Sequence, residues 1–184
     1  MAERYGESQA GRMAFWLGYF AEPADFWAYI QTWYCAFTEA DYNPRYNFRE
    51  ADFKRELAEL FRAENAGRSV ERYFRERYDE SFNRFAYDFG VSFDEDFQVA
   101  DCRLESATDV EALLGEWAAE LAEPLRAIFP EGRLPMACNC FFGIPACVYV
   151  GEKMEAKWRS GFLRFVGDLQ EDVYSDDLAA RYNG

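Results

Sequence analysis

Residues 13–20, Met13-Ala14-Phe15-Trp16-Leu17-Gly18-Tyr19-Phe20, run through Ala21-Glu22-Pro23 into Ala24-Asp25-Phe26-Trp27-Ala28-Tyr29-Ile30. The first run is apolar and aromatic and reads as a β-strand, with Gly18 near its end. Pro23 suits the first turn of a helix, where its missing N–H is not needed. Phe26, Trp27, Ile30, Trp33, Tyr34 and Phe37 recur every three or four residues. That spacing predicts a helix whose aromatic stripe faces the core and reaches Phe37.

Three further helices follow by the same reading. Tyr42 to Phe48, with Asn43-Pro44, is a loop; Asn47 and Glu50 then cap a helix over 49–64 whose apolar face is Phe53, Leu57, Leu60 and Phe61. Ala66-Gly67 ends it. After Ser69 a third helix places Val70, Tyr73, Phe74, Tyr78, Phe82, Phe85 and Phe89 on one side and stops at Gly90. Thr108-Asp109-Val110-Glu111 reads as a capping box for a fourth, carrying Leu113, Leu114, Trp117, Leu121, Leu125 and Ile128. Pro124 should bend or divide it.

The C-terminal third turns to strand chemistry. Met136–Phe142, Cys147–Val150 and Phe162–Val166 are short β-prone runs, separated by Gly143/Pro145 and by 151–161, and read as antiparallel neighbours. Val91 to Leu104 reads as extended, with a parity slip between Val99 and Cys102 that fits a bulge. The expectation is one α+β domain over 13–184, an antiparallel sheet of about four or five strands packed against three or four helices, after a polar N-terminal extension, 1–12.

Across 184 residues, 34 acidic side chains outnumber 20 basic ones, giving a net charge of −14, and there is no histidine. Such a chain repels phosphate and does not read as a nucleic-acid binder. It also lacks the commonest general base and transition-metal ligand. The charge is uneven. Residues 45–84 hold ten basic against nine acidic groups, net +1, which leaves −15 for the rest. This middle reads as a solvated, ion-paired surface. Negative charge gathers instead in Asp94, Glu95, Asp96, Asp101, Glu105, Asp109 and Glu111, opposed only by Arg103, and in Asp168, Glu171, Asp172, Asp176 and Asp177, with no base among them. Both runs flank expected strands. If they emerge at neighbouring sheet edges they form one acidic face suited to a basic partner; the bland alternative is that acidic loops serve solubility.

Catalysis finds little footing. Asp94-Glu95-Asp96 could point two carboxylates one way toward Mg²⁺ or Ca²⁺, but no basic group stands by to hold phosphate and the glycine a calcium loop needs at its sixth position is missing, Val99 standing there. There is no Gly-x-Ser-x-Gly turn and no glycine-rich phosphate loop before a helix. Cys138-x-Cys140 would put two sulfurs on one face of a strand, yet without a second pair or a histidine buried free thiols are the better reading than a metal site. Five unspaced cysteines, the absence of a run of roughly 18 apolar residues and the polar first dozen suggest a reduced, cytoplasmic protein. The residues read as a non-enzyme with no cofactor. A carboxylate-dependent metal hydrolase, or a small-ligand or regulatory module lined by Trp27, Trp33 and Trp117, stays open beside that reading.

Two stretches carry a resemblance. Phe15-Trp16-Leu17-Gly18-Tyr19-Phe20 leading to Asp25-Phe26-Trp27-Ala28-Tyr29-Ile30 resembles the opening of the immunity protein 22 family of bacterial polymorphic-toxin systems. Phe85-Ala86-Tyr87-Asp88-Phe89-Gly90-Val91-Ser92-Phe93-Asp94-Glu95-Asp96-Phe97 is similar to its central motif, a short helix ending at glycine before an acidic Asp-x-Asp-Phe. Asn139 and Leu163-Arg164-Phe165-Val166-Gly167 are more loosely similar to its later strands. Together these cover about a quarter of the chain, and the middle, 42–80, is longer than the family's core. The resemblance implies a small α+β protein that neutralises a cognate toxin and supplies no catalytic residues. Asp94 and Asp96 match the motif, as toxin contacts or as structural carboxylates. The expected partner is a protein toxin with a basic surface, with neither nucleic acid nor membrane, engaged by Asp94, Glu95, Asp96, Asp101, Asp168, Glu171 and Asp172.

Overall fold

In a computed structural model, the described residues are 5–31, 33–34, 81–82, 84–91, 93 and 98–170. They form β1 (Gly6–Phe20), α1 (Pro23–Ile30), β2 (Trp33–Tyr34), β3 (Ser81–Phe82), α2 (Arg84–Phe89), β4 (Val99–Asp109), α3 (Val110–Leu114), a 3₁₀ turn (Gly115–Trp117), α4 (Ala118–Ile128), β5 (Arg133–Tyr149), β6 (Glu155–Trp158) and β7 (Gly161–Gln170). The fold is α+β. Five strands make one antiparallel sheet in the order β4-β5-β1-β7-β6, and β2 pairs with β3 separately.

β1 is the central strand and decides the layering. Its even residues Ala14, Trp16 and Phe20 enter one core with Phe26, Tyr29 and Ile30 of α1 and Phe85 and Phe89 of α2. Its odd residues Met13, Phe15 and Leu17 enter a second core with Val110, Leu113 and Leu114 of α3 and Leu121 and Leu125 of α4. Helices therefore cover both faces of the sheet, and a strand buried on both faces reads as a continuous apolar run. Trp16 is fully buried, its ring 4.9–6.1 Å from those of Phe85, Phe89, Phe142, Tyr149 and Phe165. At Gly18 a Cβ would run into the Phe162 carbonyl, so the glycine permits the close approach of β1 and β7.

Several expectations are corrected. β1 begins at Gly6, so 6–12 of the polar stretch form its first half. α1 ends at Ile30, where Gln31 turns extended, and Trp33-Tyr34 pair with Ser81-Phe82 instead of prolonging the helix to Phe37. The same pairing interrupts the third expected helix, leaving the six-residue α2, which stops before Gly90 at φ 68° as read. The helix over 49–64 and positions 70–78 lie outside the described residues.

The cap of α3 is Asp109, whose Oδ1 accepts from the Ala112 N–H at 3.1 Å; Thr108 still belongs to β4. The break in the fourth helix falls at Gly115, φ 56°, and Pro124 is carried inside α4. Met136–Phe142 and Cys147–Val150 are not neighbours but parts of the single strand β5 and its end, and β1 separates β5 from β7. Pro145 is tolerated because the β1–β5 register shifts between Ser8 and Met13 beside it. β6 occupies part of the expected loop. The bulge in β4 follows Cys102 rather than preceding it.

Candidate functional site

Asp94, Glu95, Asp96, Glu171 and Asp172 lie outside the described residues. The two that are described do not meet. Asp101 sits on edge strand β4 opposite Phe141, on the α3–α4 side; Asp168 sits on β7 opposite Ala14, on the α1–α2 side. Three strand spacings, about 14 Å, and the sheet itself separate them. The two strands are not neighbouring edges, since β7 lies inside β6.

Each is engaged internally. The Asp168 Oδ1 accepts the Tyr149 N–H at 3.0 Å, and its backbone carbonyl accepts from Arg12 at 3.1 Å. Burial pushes the Asp168 carboxyl above the usual carboxylate range, and the Tyr149 N–H and the Arg12 charge pull it partly back. Asp101 accepts from Arg103 Nε at 3.0 Å. The same guanidinium donates to the carbonyls of Ala112 at 3.2 Å and Leu114 at 3.1 Å, satisfying the end of α3. A side chain at Gly115 would strike it, which joins the glycine, the helix break and Arg103 into one arrangement.

The residues matching the family motif likewise turn inward. Asp88 accepts from Tyr29 Oη at 2.9 Å, Arg84 Nε at 3.1 Å and Lys153 Nζ at 3.2 Å, tying α1, α2 and the β5–β6 loop together. Its side chain is only 5% exposed. Burial first, then the Asp88 charge, holds the Tyr29 phenol well above its ordinary value. Tyr29 was missed in the aromatic stripe. It faces inward with Phe26 and Ile30, whereas Trp27 is 41% exposed.

Asn139 is the other internal clasp. Buried on β5, it accepts the Phe20 N–H at 2.9 Å and donates to the carbonyls of Phe20 at 2.7 Å and Arg103 at 2.8 Å. One amide thus stands in for a strand partner at the end of β1 and holds the β4 bulge.

The outward-facing charge lies elsewhere, on α3 and α4. Residues 99–133 hold eight acidic and three basic side chains. Of the bases, Arg103 is spent on Asp101 and α3, Arg126 pairs with Glu111, and Arg133 sits opposite Asp109. Glu116, Glu120 and Glu123 project to solvent, backed by buried Leu121 and Leu125. Their spacing of four and three residues puts successive Cβ atoms about 5–6 Å apart along one helical face. The sequence signal for this face is three glutamates at i, i+4 and i+7, which form no run of adjacent acids.

Chemically this face can attract a cationic surface. Among the described residues no group of three or more Cys, Asp or Glu is placed to hold a metal ion. Cys138 and Cys140 belong to opposite cores, not to one face, because the register slips between them at Asn139. No described helix is long and apolar enough to cross a membrane. Compared with known proteins, the chain matches no family model, no curated protein and no solved structure.

Proposed function

We propose that this chain is an immunity protein that binds a cognate toxin with a basic surface and blocks its active-site cleft, without catalysis and without a cofactor. The observation that carries the reading is one helical face, Glu116 of the 3₁₀ turn with Glu120 and Glu123 of α4, exposed in a row while Arg103 and Arg126 are paired with Asp101 and Glu111. A rigid row of carboxylates offers a basic cleft the charge pattern of a polyanionic substrate. Long-range attraction of this kind raises association rates by about ten- to a thousand-fold at low salt. Because α4 is packed on the sheet through Leu121 and Leu125, little ordering is needed on binding. The sequence resemblance to the immunity protein 22 family supports the same reading, and a nuclease is the toxin class whose cleft best fits it. The proposed place of action is the cytoplasm.

The test is co-expression with the C-terminal domain of a large secreted protein encoded immediately upstream. Restored growth with the wild-type chain, and loss of rescue with Glu116→Lys/Glu120→Lys/Glu123→Lys, is the expected result. A toxic domain whose lethality the wild-type chain leaves unchanged would overturn the proposal.

A further inference from the structure

Cys102 and Cys140 are direct register partners on β4 and β5. Opposed residues of an antiparallel pair have Cα atoms about 4.5–5.5 Å apart, inside the range a disulfide bridges. Both side chains turn toward the α1–α2 core, Cys140 fully buried and Cys102 half-buried. Sharing one register position and one face of the sheet, the two side chains are neighbours. Cys102 in turn points at the Arg103 carbonyl, 4.0 Å away, the same oxygen that Asn139 holds. The β4 register shift begins directly after Cys102, so the backbone there is not held on both sides by a regular ladder and can adjust as the bond forms.

We infer that Cys102 and Cys140 are a site of reversible covalent modification, closing to a cross-strand disulfide under a low-molecular-weight disulfide such as oxidised glutathione. Cys102, the half-buried and more accessible member, attacks as thiolate, forms a mixed disulfide and releases one glutathione thiolate. Cys140, on losing its proton, then attacks the Cys102 sulfur, the Cys102–glutathione bond breaks, and the second glutathione thiolate leaves. Two protein thiols are oxidised, one small disulfide is reduced to two thiols, and the two protons end on those thiols. The other described thiols are placed differently: Cys138 lies in the opposite core and Cys147 faces Ser8. The bond would lock edge strand β4, and with it the Asp101–Arg103 clamp on α3, onto β5. It requires nothing of the toxin-binding proposal.

Oxidised glutathione added to the native protein, followed by alkylation and non-reducing peptide mapping, should give one linked peptide joining Cys102 to Cys140 and the loss of two free thiols. The loop closed is long, so the thermal midpoint should rise by roughly 8–15 °C and fall back on reduction. Cys147→Ser should leave the link intact and Cys102→Ser should abolish it. A full count of free thiols at complete glutathione oxidation, or a link through any other pair in the wild-type protein, would overturn the inference; neither readout depends on a variant folding.

Discussion

Replacing Asn139 by leucine, close to it in size, tests the clasp that joins three strands. The side chain is 1% exposed and makes three hydrogen bonds, to both backbone groups of Phe20 and to the Arg103 carbonyl. Leucine leaves the Phe20 N–H and carbonyl without this partner and the Arg103 carbonyl with only the long contact from the Cys102 thiol. A buried unsatisfied group costs about 1–3 kcal/mol, and the Arg103 carbonyl, nearer the surface, recovers part of this through water, so the net loss is about 4 kcal/mol. For a chain of this length that lowers Tm by about 8–16 °C. Differential scanning calorimetry measures it directly. Asn139→Asp sharpens the test. An ionised aspartate still accepts from the Phe20 N–H but turns its other oxygen on two carbonyls, whereas a protonated one donates to one of them. Its folded pKa is then raised above the ordinary value, so stability is present at low pH and lost as pH rises through the folded value. The aspartate variant should be more stable, relative to wild type, at about pH 4 than at about pH 7. An Asn139→Leu protein melting within about 2 °C of wild type would refute the reasoning.

Asp88→Ala should cost about 3 kcal/mol by leaving the buried Tyr29 hydroxyl without its acceptor and removing the carboxylate from Arg84 and Lys153, and Tyr29→Phe about 1 kcal/mol, with the double variant well short of their sum in urea denaturation. Gly115→Ala meets both a positive φ and the Arg103 guanidinium, and should destabilise by about 2–4 kcal/mol, against less than about 1 kcal/mol for Ala119→Gly on the exposed face of α4. Burial pushes the Cys138 and Cys147 thiols up to about 11 from an ordinary 9.0. The folded state therefore holds protons that the unfolded state releases, and the urea midpoint should fall as pH rises from 9 to 11, less steeply in Cys138→Ala than in wild type.

The parts of the fold legible in the sequence are those with local causes. Met13–Phe20 announces a buried central strand by composition, Gly90 ends α2 by its positive φ, and Leu121 and Leu125 mark the inner face of α4. What failed depends on distant pairing. Trp33-Tyr34 continue a helical spacing yet pair with Ser81-Phe82 across 47 and 49 positions, and no local signal anticipates that. Pro145 reads as a strand breaker until the bulge beside it in the β1–β5 pairing removes the need for its N–H. Asn139 looks like a polar interruption, because its partners stand 119 and 36 residues away. The acidic site divided similarly. Asp101 and Asp168 are conspicuous in runs of charge but carry internal bonds, while Glu116, Glu120 and Glu123 form no run and share a face only through helical spacing.

The proposal that the α4 face steers a basic toxin meets its most direct test in stopped-flow association with the upstream-encoded toxin domain. Wild type and Glu116→Lys/Glu120→Lys/Glu123→Lys would be compared across an ionic-strength series. Expected is a wild-type rate at low salt about ten- to a thousand-fold above the variant's, with the two converging as salt screens the charges. Equal rates and parallel salt dependences, with both proteins folded, would contradict it.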